Sequence, residues 1–372
     1  MVEQAQTGMR PVLIAAGGTG GHVFPALAVA QQLIAAGVEV LWVGTVAGIE
    51  ARVVPAAGIE LRTINVSGFR GKNLLRRLFA PLQLALAVVV VLQLAFSRKV
   101  ACVLATGGYV SAAGGIAAML SRKPFLLQEQ NAVAGTTNRM LSPFARKVFT
   151  AYPQVLEGSG KVECIGNPLR ANFRCLPTPL ERGVASGPVL NLLVLGGSLG
   201  ARILNGTVPG AIAQVGASPG SFTSVHVVHQ GGEQDRQKII ARYRELGIDA
   251  EVFAFIEDMP AALQRADLVI ARAGALTLSE ICAVGVAAIL VPLPHAIDDH
   301  QTVNARWLET QGAAVLLPQS ELSEQRLAEK ILALVSDRER LSAIAAQSRA
   351  QARADAASHI ANACMHYAGA AR

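Results

Sequence analysis

Short apolar runs alternate with longer stretches of helical period along nearly the whole chain, joined by glycine-rich or polar residues. The first run, residues 12–16 (VLIAA), is too short for a buried helix and breaks into Gly17-Gly18-Thr19-Gly20-Gly21-His22. Pro25 follows where a helix's first turn tolerates it, and residues 26–36 read as a helix closed by Gly37. Further strands are predicted over 38–43, 61–66, 100–105, 125–127 and 162–165, then over 190–195, 225–229, 250–255, 268–271 and 288–291. Residues 322–368 read as two helices with a break near 355–358. The run at 190–195 leads into Gly196-Gly197-Ser198-Leu199-Gly200-Ala201-Arg202, a second strand, glycine loop and helix about 180 residues after the first. A chain of 372 residues exceeds what one core accommodates. The expected fold class is therefore α/β, with two doubly wound, Rossmann-like domains facing across a cleft. The expected boundaries are 1–170, a Pro-, Gly- and Ser-rich linker over 171–188, a second domain over 189–354, and a closing helix over 355–372 that can pack back on the first domain.

The longest apolar run, 78–96 (LFAPLQLALAVVVVLQLAF), is preceded by Arg76-Arg77 and followed by Arg98-Lys99. By length it nearly reaches a membrane span. Basic residues at both ends specify no inside, and a parallel sheet needs a crossover helix before the strand at 100–105. The preferred reading is a helix with one face on the sheet and the other exposed as an apolar patch ringed by Arg76, Arg77, Arg98 and Lys99, with Arg70 and Lys72 nearby. Such a patch suits docking on an anionic membrane surface. Burial on all sides and a true span are the alternatives.

Charge sharpens this picture. Up to Arg170 there are 16 Lys and Arg against 7 Asp and Glu, a net of +9, whereas the remainder nets −2. The basic half has little aromatic interleaving and no nucleic-acid module, so nucleic acid is not the expected partner. Five widely spaced cysteines without a C-x-x-C pair, and an opening MVEQAQTGMR with no apolar core, point to a reducing compartment and no secretory leader.

Candidate chemistry sits where strands end. The first glycine loop exposes backbone N–H groups at the positive end of a helix, a place for phosphate or diphosphate. A dinucleotide fingerprint starting at Gly18 would need glycine where Val23 stands, and no acid ends the next strand, which weakens a nicotinamide reading. His22 adds an imidazole able to exchange a proton or bind an anion. Thr106-Gly107-Gly108-Tyr109-Val110-Ser111 is a second glycine turn after a strand, and Gln128-Glu129-Gln130-Asn131 ends another. Glu129 is the only carboxylate near these loops in sequence, either a general base or a solvated loop acid. In the second half, Arg272-Ala273-Gly274-Ala275 opens a helix whose first turns carry Thr277, Ser279 and Glu280; a carboxylate there can accept both hydroxyls of a ribose. His295, Asp298, Asp299 and His300 have no diagnostic metal-ligand spacing.

Taken in order, seven stretches identify a resemblance covering essentially the whole chain. They are the loop at 17–22, the turn at 106–111, Glu129-Gln130-Asn131-Ala132, Gly166-Asn167-Pro168-Leu169-Arg170, Gly196-Gly197-Ser198, residues 272–280, and Asp299-His300-Gln301 through Asn304-Ala305. The chain resembles the MurG family, peripheral membrane N-acetylglucosaminyltransferases of peptidoglycan synthesis. The resemblance implies a GT-B fold, with the lipid acceptor on the N-terminal half and UDP-GlcNAc mainly on the C-terminal half. It implies inverting transfer of GlcNAc to the C4 hydroxyl of MurNAc in undecaprenyl-pyrophosphoryl-MurNAc-pentapeptide, at the cytoplasmic face of the cell inner membrane, with no metal or other cofactor. By matching position, Thr19, Gly20, Gly21, Asn131, Arg170, Ser198, Ile256, Ala275, Leu276, Thr277, Leu278, Ser279, Glu280 and Gln301 should touch the donor. Glu280 would hold the ribose, Ile256 the uracil, Gln301 the sugar hydroxyls and Ser198 with its loop the diphosphate. Tyr109 is assigned to the acceptor. His22 is the first choice of base and Glu129 the second. Gln128 stands where the family often has His, Leu199 where it usually has Gln, and Ala112-Ala113 where Gly-Pro is common.

Overall fold

A computed structural model describes residues 8–66, 74–158, 160–183, 187–196, 202–218, 222–294 and 299–369, with side chains in the third helix described from Phe79 onward. The chain divides into two units, Met1–Ala171 with Ala354–Arg372, and Asn172–Arg353.

In the first unit seven parallel strands, β1 (Val12–Ala15), β2 (Val40–Gly44), β3 (Glu60–Thr63), β4 (Cys102–Ala105), β5 (Phe125–Glu129), β6 (Lys147–Thr150) and β7 (Val162–Cys164), lie in the order β3-β2-β1-β4-β5-β6-β7. The central strands are continuous apolar runs because helices cover both faces of the sheet. The crossovers are α1 (Gly20–Ala35), α2 (Glu50–Ala56), α3 (Leu74–Ser97), α4 (Gly108–Leu120) and α5 (Thr136–Leu141). Ile14, Trp42 and Leu104 pack with α1 on one face; Leu13, Leu41 and Val103 pack with α3 and α4 on the other.

Three local differences from the sequence expectation have physical causes. The first helix starts at Gly20 rather than 26, because the amides of a first turn need no intrahelical partner and glycines there cost no ladder bond. A short helix, α2, spans 7 residues, fewer than the window over which a helical period can be read. The C-terminal region forms three helices instead of two, because Asp337 caps a new helix by accepting from the Arg340 amide.

The long apolar helix is two-faced. Ala87, Val88, Val91, Leu94 and Ala95 of α3 are buried with the strands, whereas Phe79, Leu82, Leu86, Val89 and Phe96 are exposed. Phe79–Ser97 is long and apolar enough to cross a membrane by length and composition. A helix whose inner stripe is built into the sheet's core is neither enclosed on all sides nor surrounded by lipid. Arg98, expected on the basic rim, donates to Glu60 at 2.9 Å and also pairs with Glu39. Arg70 and Lys72, and the side chains of Arg76 and Arg77, lie outside what is described.

The first α-helix of the second unit is α6 (Pro179–Arg182), opened by a Thr178–Glu181 capping box. Arg182 donates to Gln264 O at 2.9 Å and Gly285 O at 2.6 Å, so this stretch of the expected linker is pinned to the unit. Six parallel strands follow, β8 (Val189–Leu195), β9 (Ser224–Gln230), β10 (Ala250–Phe253), β11 (Leu268–Ala271), β12 (Ala287–Leu290) and β13 (Val315–Leu316), in the order β10-β9-β8-β11-β12-β13. Their helices are α7 (Arg202–Ala217), α8 (Arg236–Glu245), α9 (Met259–Arg265), α10 (Ala275–Val284), α11 (His300–Thr310), α12 (Glu324–Val335) and α13 (Arg338–Ala350). The last helix, α14 (Ala356–Gly369), belongs to the first unit: Ile360, Ala361, Cys364 and Ala368 are buried against α1 and β4, and His359 Nε2 meets Glu163 at 2.9 Å. The α/β class and the pair of parallel sheets are those the alternation predicts.

Candidate active site

Strand order reverses once in each sheet, between β1 and β4 in the first unit and between β8 and β11 in the second. Neighbouring crossovers leave such a point in opposite directions and open a crevice at the carboxyl ends of the strands. The motifs singled out in the sequence lie there: the 17–22 loop and Thr106-Gly107 in the first unit, Gly196 and Arg272 to Ala275 in the second.

His22 sits in the first turn of α1, half-buried. Its Nδ1 lies 2.8 Å from Thr106 O and 3.1 Å from Gln130 Oε1. Thr106 Oγ1 donates in turn to His22 O at 3.1 Å, so one residue after β4 grips both ring and backbone. Gly107 makes the approach possible: its φ is +107°, and a Cβ there would stand 2.8 Å from His22 Cε1. Ser111 Oγ accepts from the Thr106 and Gly107 amides at 3.2 and 2.8 Å, holding that turn. Among the described residues His22 Nε2 has no hydrogen-bond partner.

Glu129 is buried, not solvated. Its Oε1 accepts from the Asn131 amide at 2.9 Å and Asn131 Nδ2 at 3.3 Å; its Oε2 accepts from the Gly135 amide at 3.0 Å and Asn138 Nδ2 at 2.7 Å. Four donors fill the carboxylate and shape the loop that presents Asn131. Tyr109, at the start of α4, is half-buried, as is Arg170.

Two expectations about the first loop need correction. Glu129 is not its nearest carboxylate: Glu50, fully buried at the start of α2, accepts from the Gly18 amide at 3.0 Å and from Thr45 N and Oγ1 at 2.7 and 2.8 Å. The loop's amides are therefore not all open to a ligand, because Gly18 already donates inward. Gly17 must be glycine for the same reason, since a Cβ would lie 2.5 Å from Glu50 Oε1. Thr19 and Gly21 are exposed and Gly20 half-buried at the head of α1, where first-turn amides lack intrahelical acceptors. Sequence reasoning missed Glu50; the only signal was an acid six residues beyond the glycine that ends β2.

In the second unit α10 starts at Ala275 with Gly274 as cap. The side chains of Ala275 and Leu278 are buried, so these residues can meet a ligand only by backbone; Leu276, Thr277, Ser279 and Glu280 are half-buried. The Leu278 amide donates to Gly274 O at 3.0 Å, and Ser279 Oγ donates to Ala275 O at 2.9 Å. Arg272 and Asn304, which carried no assigned role, hold this loop. Arg272 donates to Val291 O, Pro292 O and Gln319 Oε1 at 3.0, 3.1 and 2.8 Å, and Asn304 Nδ2 donates to Ala273 O at 3.3 Å. Ile256 is buried after β10, its amide 3.1 Å from Gln230 Oε1 at the end of β9. Gln301, in α11, accepts from the Leu293 amide at 2.9 Å. Ser198 and Leu199, and His295 and Asp298 of the metal alternative, lie outside the described residues.

Comparison with known proteins follows this geometry. The glycosyltransferase family 28 N-terminal domain matches residues 12–150, and the family's C-terminal domain matches residues 191–360. A UDP-N-acetylglucosamine--N-acetylmuramyl-(pentapeptide) pyrophosphoryl-undecaprenol N-acetylglucosamine transferase of Alkalilimnicola ehrlichii is 51% identical over 358 residues, 96% of this chain and 99% of that one. The protein of that name from Methylococcus capsulatus is 48% identical over 364 residues, 97% and 99% of the two chains. Among solved structures, that of Acinetobacter baumannii MurG superposes with a TM-score of 0.81 at 37% identity, covering 96% of this chain and 99% of that one. The calicheamicin glycosyltransferase CalG4, at 16% identity and a TM-score of 0.70 over 97% and 99% of the chains, shares the fold.

Proposed function

The chain belongs to the MurG family within glycosyltransferase family 28, and from that premise we propose how its residues divide the reaction. It is a UDP-GlcNAc-dependent N-acetylglucosaminyltransferase of peptidoglycan synthesis, moving GlcNAc with inversion to the C4 hydroxyl of MurNAc in undecaprenyl-pyrophosphoryl-MurNAc-pentapeptide, the step from lipid I to lipid II. His22 Nε2 takes the proton of that hydroxyl as its oxygen bonds the anomeric carbon of GlcNAc. The bond from that carbon to the diphosphate breaks, and UDP leaves with the electron pair. The observation that carries this assignment is an imidazole pinned at Nδ1 beside the β1/β4 switch point whose Nε2 has no partner among the described residues. Glu129, its oxygens filled by four donors, shapes the Asn131 loop and leaves the proton to His22.

Donor binding divides between side chains and backbone. Glu280 accepts from the ribose hydroxyls, Ile256 covers the uracil, Gln301 meets the sugar hydroxyls, and the first-turn amides of α10 with the Ser198 loop stabilise the diphosphate as its charge grows. Thr19, Gly20, Gly21, Asn131 and Arg170 contribute from the first unit, and Tyr109 faces the acceptor. No step needs a metal.

The exposed Phe79, Leu82, Leu86, Val89 and Phe96 of α3 set the first unit on an anionic bilayer surface at the cytoplasmic face of the membrane, where the lipid acceptor lies. Supporting this is the net charge of +9 up to Arg170. Transfer of radiolabelled GlcNAc from UDP-GlcNAc to a short-chain MurNAc lipid analogue tests the reading. Label should appear in the lipid with wild-type protein and vanish with His22→Ala; label transferred at an equal rate by His22→Ala would refute the base assignment.

A further inference from the structure

Three buried amides behind His22 have no part in the reaction so far. Asn167 Nδ2 donates to the backbone carbonyl of Gln130 at 3.1 Å; Gln128 Nε2 lies 3.0 Å from Asn167 Oδ1; Gln130 Nε2 meets Gln128 Oε1 and, at 2.7 Å, Thr106 O. All three side chains are at least 98% buried. Each amide has a donor end and an acceptor end, and backbone carbonyls only accept. Gln130 O therefore forces Asn167 to offer its nitrogen there and its oxygen to Gln128. Gln128 must then donate to Asn167 and accept from Gln130. Gln130, with its nitrogen committed to Gln128 and to Thr106 O, turns Oε1 toward His22 Nδ1 at 3.1 Å. Two acceptors, Thr106 O and Gln130 Oε1, thus converge on Nδ1.

We propose that Asn167, Gln128 and Gln130 form a directional relay that turns a second acceptor, beside Thr106 O, toward His22 Nδ1 and so strengthens the hold on its proton there, leaving the lone pair on Nε2. They are positioning residues: none touches the reacting atoms, and each acts through the next. The relay gives the Asn167 of the Gly166-Asn167-Pro168 stretch a role, and it uses Gln128, the position at which this chain departs from the usual histidine. An amide cannot change charge, so the relay reinforces the tautomer that Thr106 O favours without competing for the proton. The inference rests on His22 being the base.

The test uses the full chain labelled with 15N at histidine, with the His22 signals identified by their loss in His22→Ala. In wild type the neutral ring should show a protonated Nδ1 and a bare Nε2. Asn167→Leu, which removes the polarity at its source, should leave Nδ1 held by Thr106 O without a fixed second acceptor, so that the Nε2-protonated ring becomes detectable beside the Nδ1-protonated one, and should lower kcat about tenfold. The KM for UDP-GlcNAc should stay within about twofold, because the tautomer does not enter donor binding. Asn167→Asp, whose protonated carboxyl can donate to Gln130 O and accept from Gln128, should restore the single tautomer and most of the lost turnover. Gln130→Met breaks the relay from the other end and should match the Leu variant, which covers the case that Asn167→Leu does not fold. A wild-type proton on Nε2, or undiminished kcat in both Asn167→Leu and Gln130→Met, overturns the relay. Full turnover by His22→Ala would instead overturn the base assignment.

Discussion

Each unit holds a histidine close to its switch point, and the two have opposite fates. His229, on β9, is fully buried and used at both nitrogens: Nδ1 meets Tyr243 Oη at 3.0 Å and Nε2 meets Asn205 Oδ1 at 3.2 Å. Asn205 Nδ2 donates to Gly231 O at 3.0 Å, so its oxygen accepts and His229 carries its proton on Nε2. Burial pushes the His229 pKa down to about 4. His22 is half-buried and fastened at one nitrogen, with the other without a partner among the described residues. A histidine satisfied at both ends ties helix to strand; one satisfied at a single end can exchange a proton. The same contrast extends to the surroundings. The first unit lines its crevice with buried Glu50, Gln128, Glu129, Gln130 and Asn138, whereas the second presents the first turn of α10 and keeps its cation, Arg272, committed to carbonyls.

Breaking the first arrangement should cost most. His22→Ala is expected to lower kcat by about 10²–10⁴ with the donor KM nearly unchanged. Equal losses in kcat and donor affinity would make His22 a binding group and erase the contrast. Next in size, Leu86→Glu with Val89→Glu should weaken sedimentation with anionic vesicles by about a hundredfold, from the loss of two partly buried apolar side chains at the bilayer. Both residues are exposed, so the melting temperature should hold; a lowered one would assign the face to the protein's own packing. Glu280→Ala, in the second unit, should raise the Kd for UDP by about tenfold to a hundredfold in isothermal titration, the scale of hydrogen bonds to a charged group. An unchanged Kd would remove Glu280 from the nucleotide.

The smallest effect separates the units by pH. A folded-state pKa for His229 near 4, below the ordinary imidazole value of about 6.5, means that the unfolded chain binds the extra proton first. The stability from its burial is fully present above about 6.5 and is lost as pH falls through about 4, amounting to at most about 3 kcal/mol. In His229→Gln the acid loss measured by urea unfolding between pH 7 and pH 4 should shrink; an identical pH slope would mean that other groups carry it.

Much of the fold was legible. The alternation of apolar runs and helices gave parallel sheets, and the seven ordered motifs gave the family, because strand-ending glycines and the residues beside them sit next to one another in the chain. The two-faced character of residues 78–96 was legible for a different reason: a crossover helix before β4 was required by parallel pairing. Glu50 was not legible as a partner of the first loop, since it lies 32 residues from Gly18 and on another crossover. Nor was the filled state of Glu129, whose donors come from the loop after β5 and from Asn138 in α5, a helix too short to show a period.

What the amino-acid order determined by itself was local and repetitive: where chains turn, which faces are apolar, and which motifs recur in which sequence. That was enough for the α/β class and for the reaction. Only the tertiary structure decided which atom of which group is available. The hydrogen bonds that fix His22 reach from α1 to the ends of β4 and β5 and on to Asn167, across 84 and 108 residues to the nearest partners. Such pairing depends on strand register and on the donor or acceptor end that each buried amide has left over, and neither is written in any single stretch of the chain.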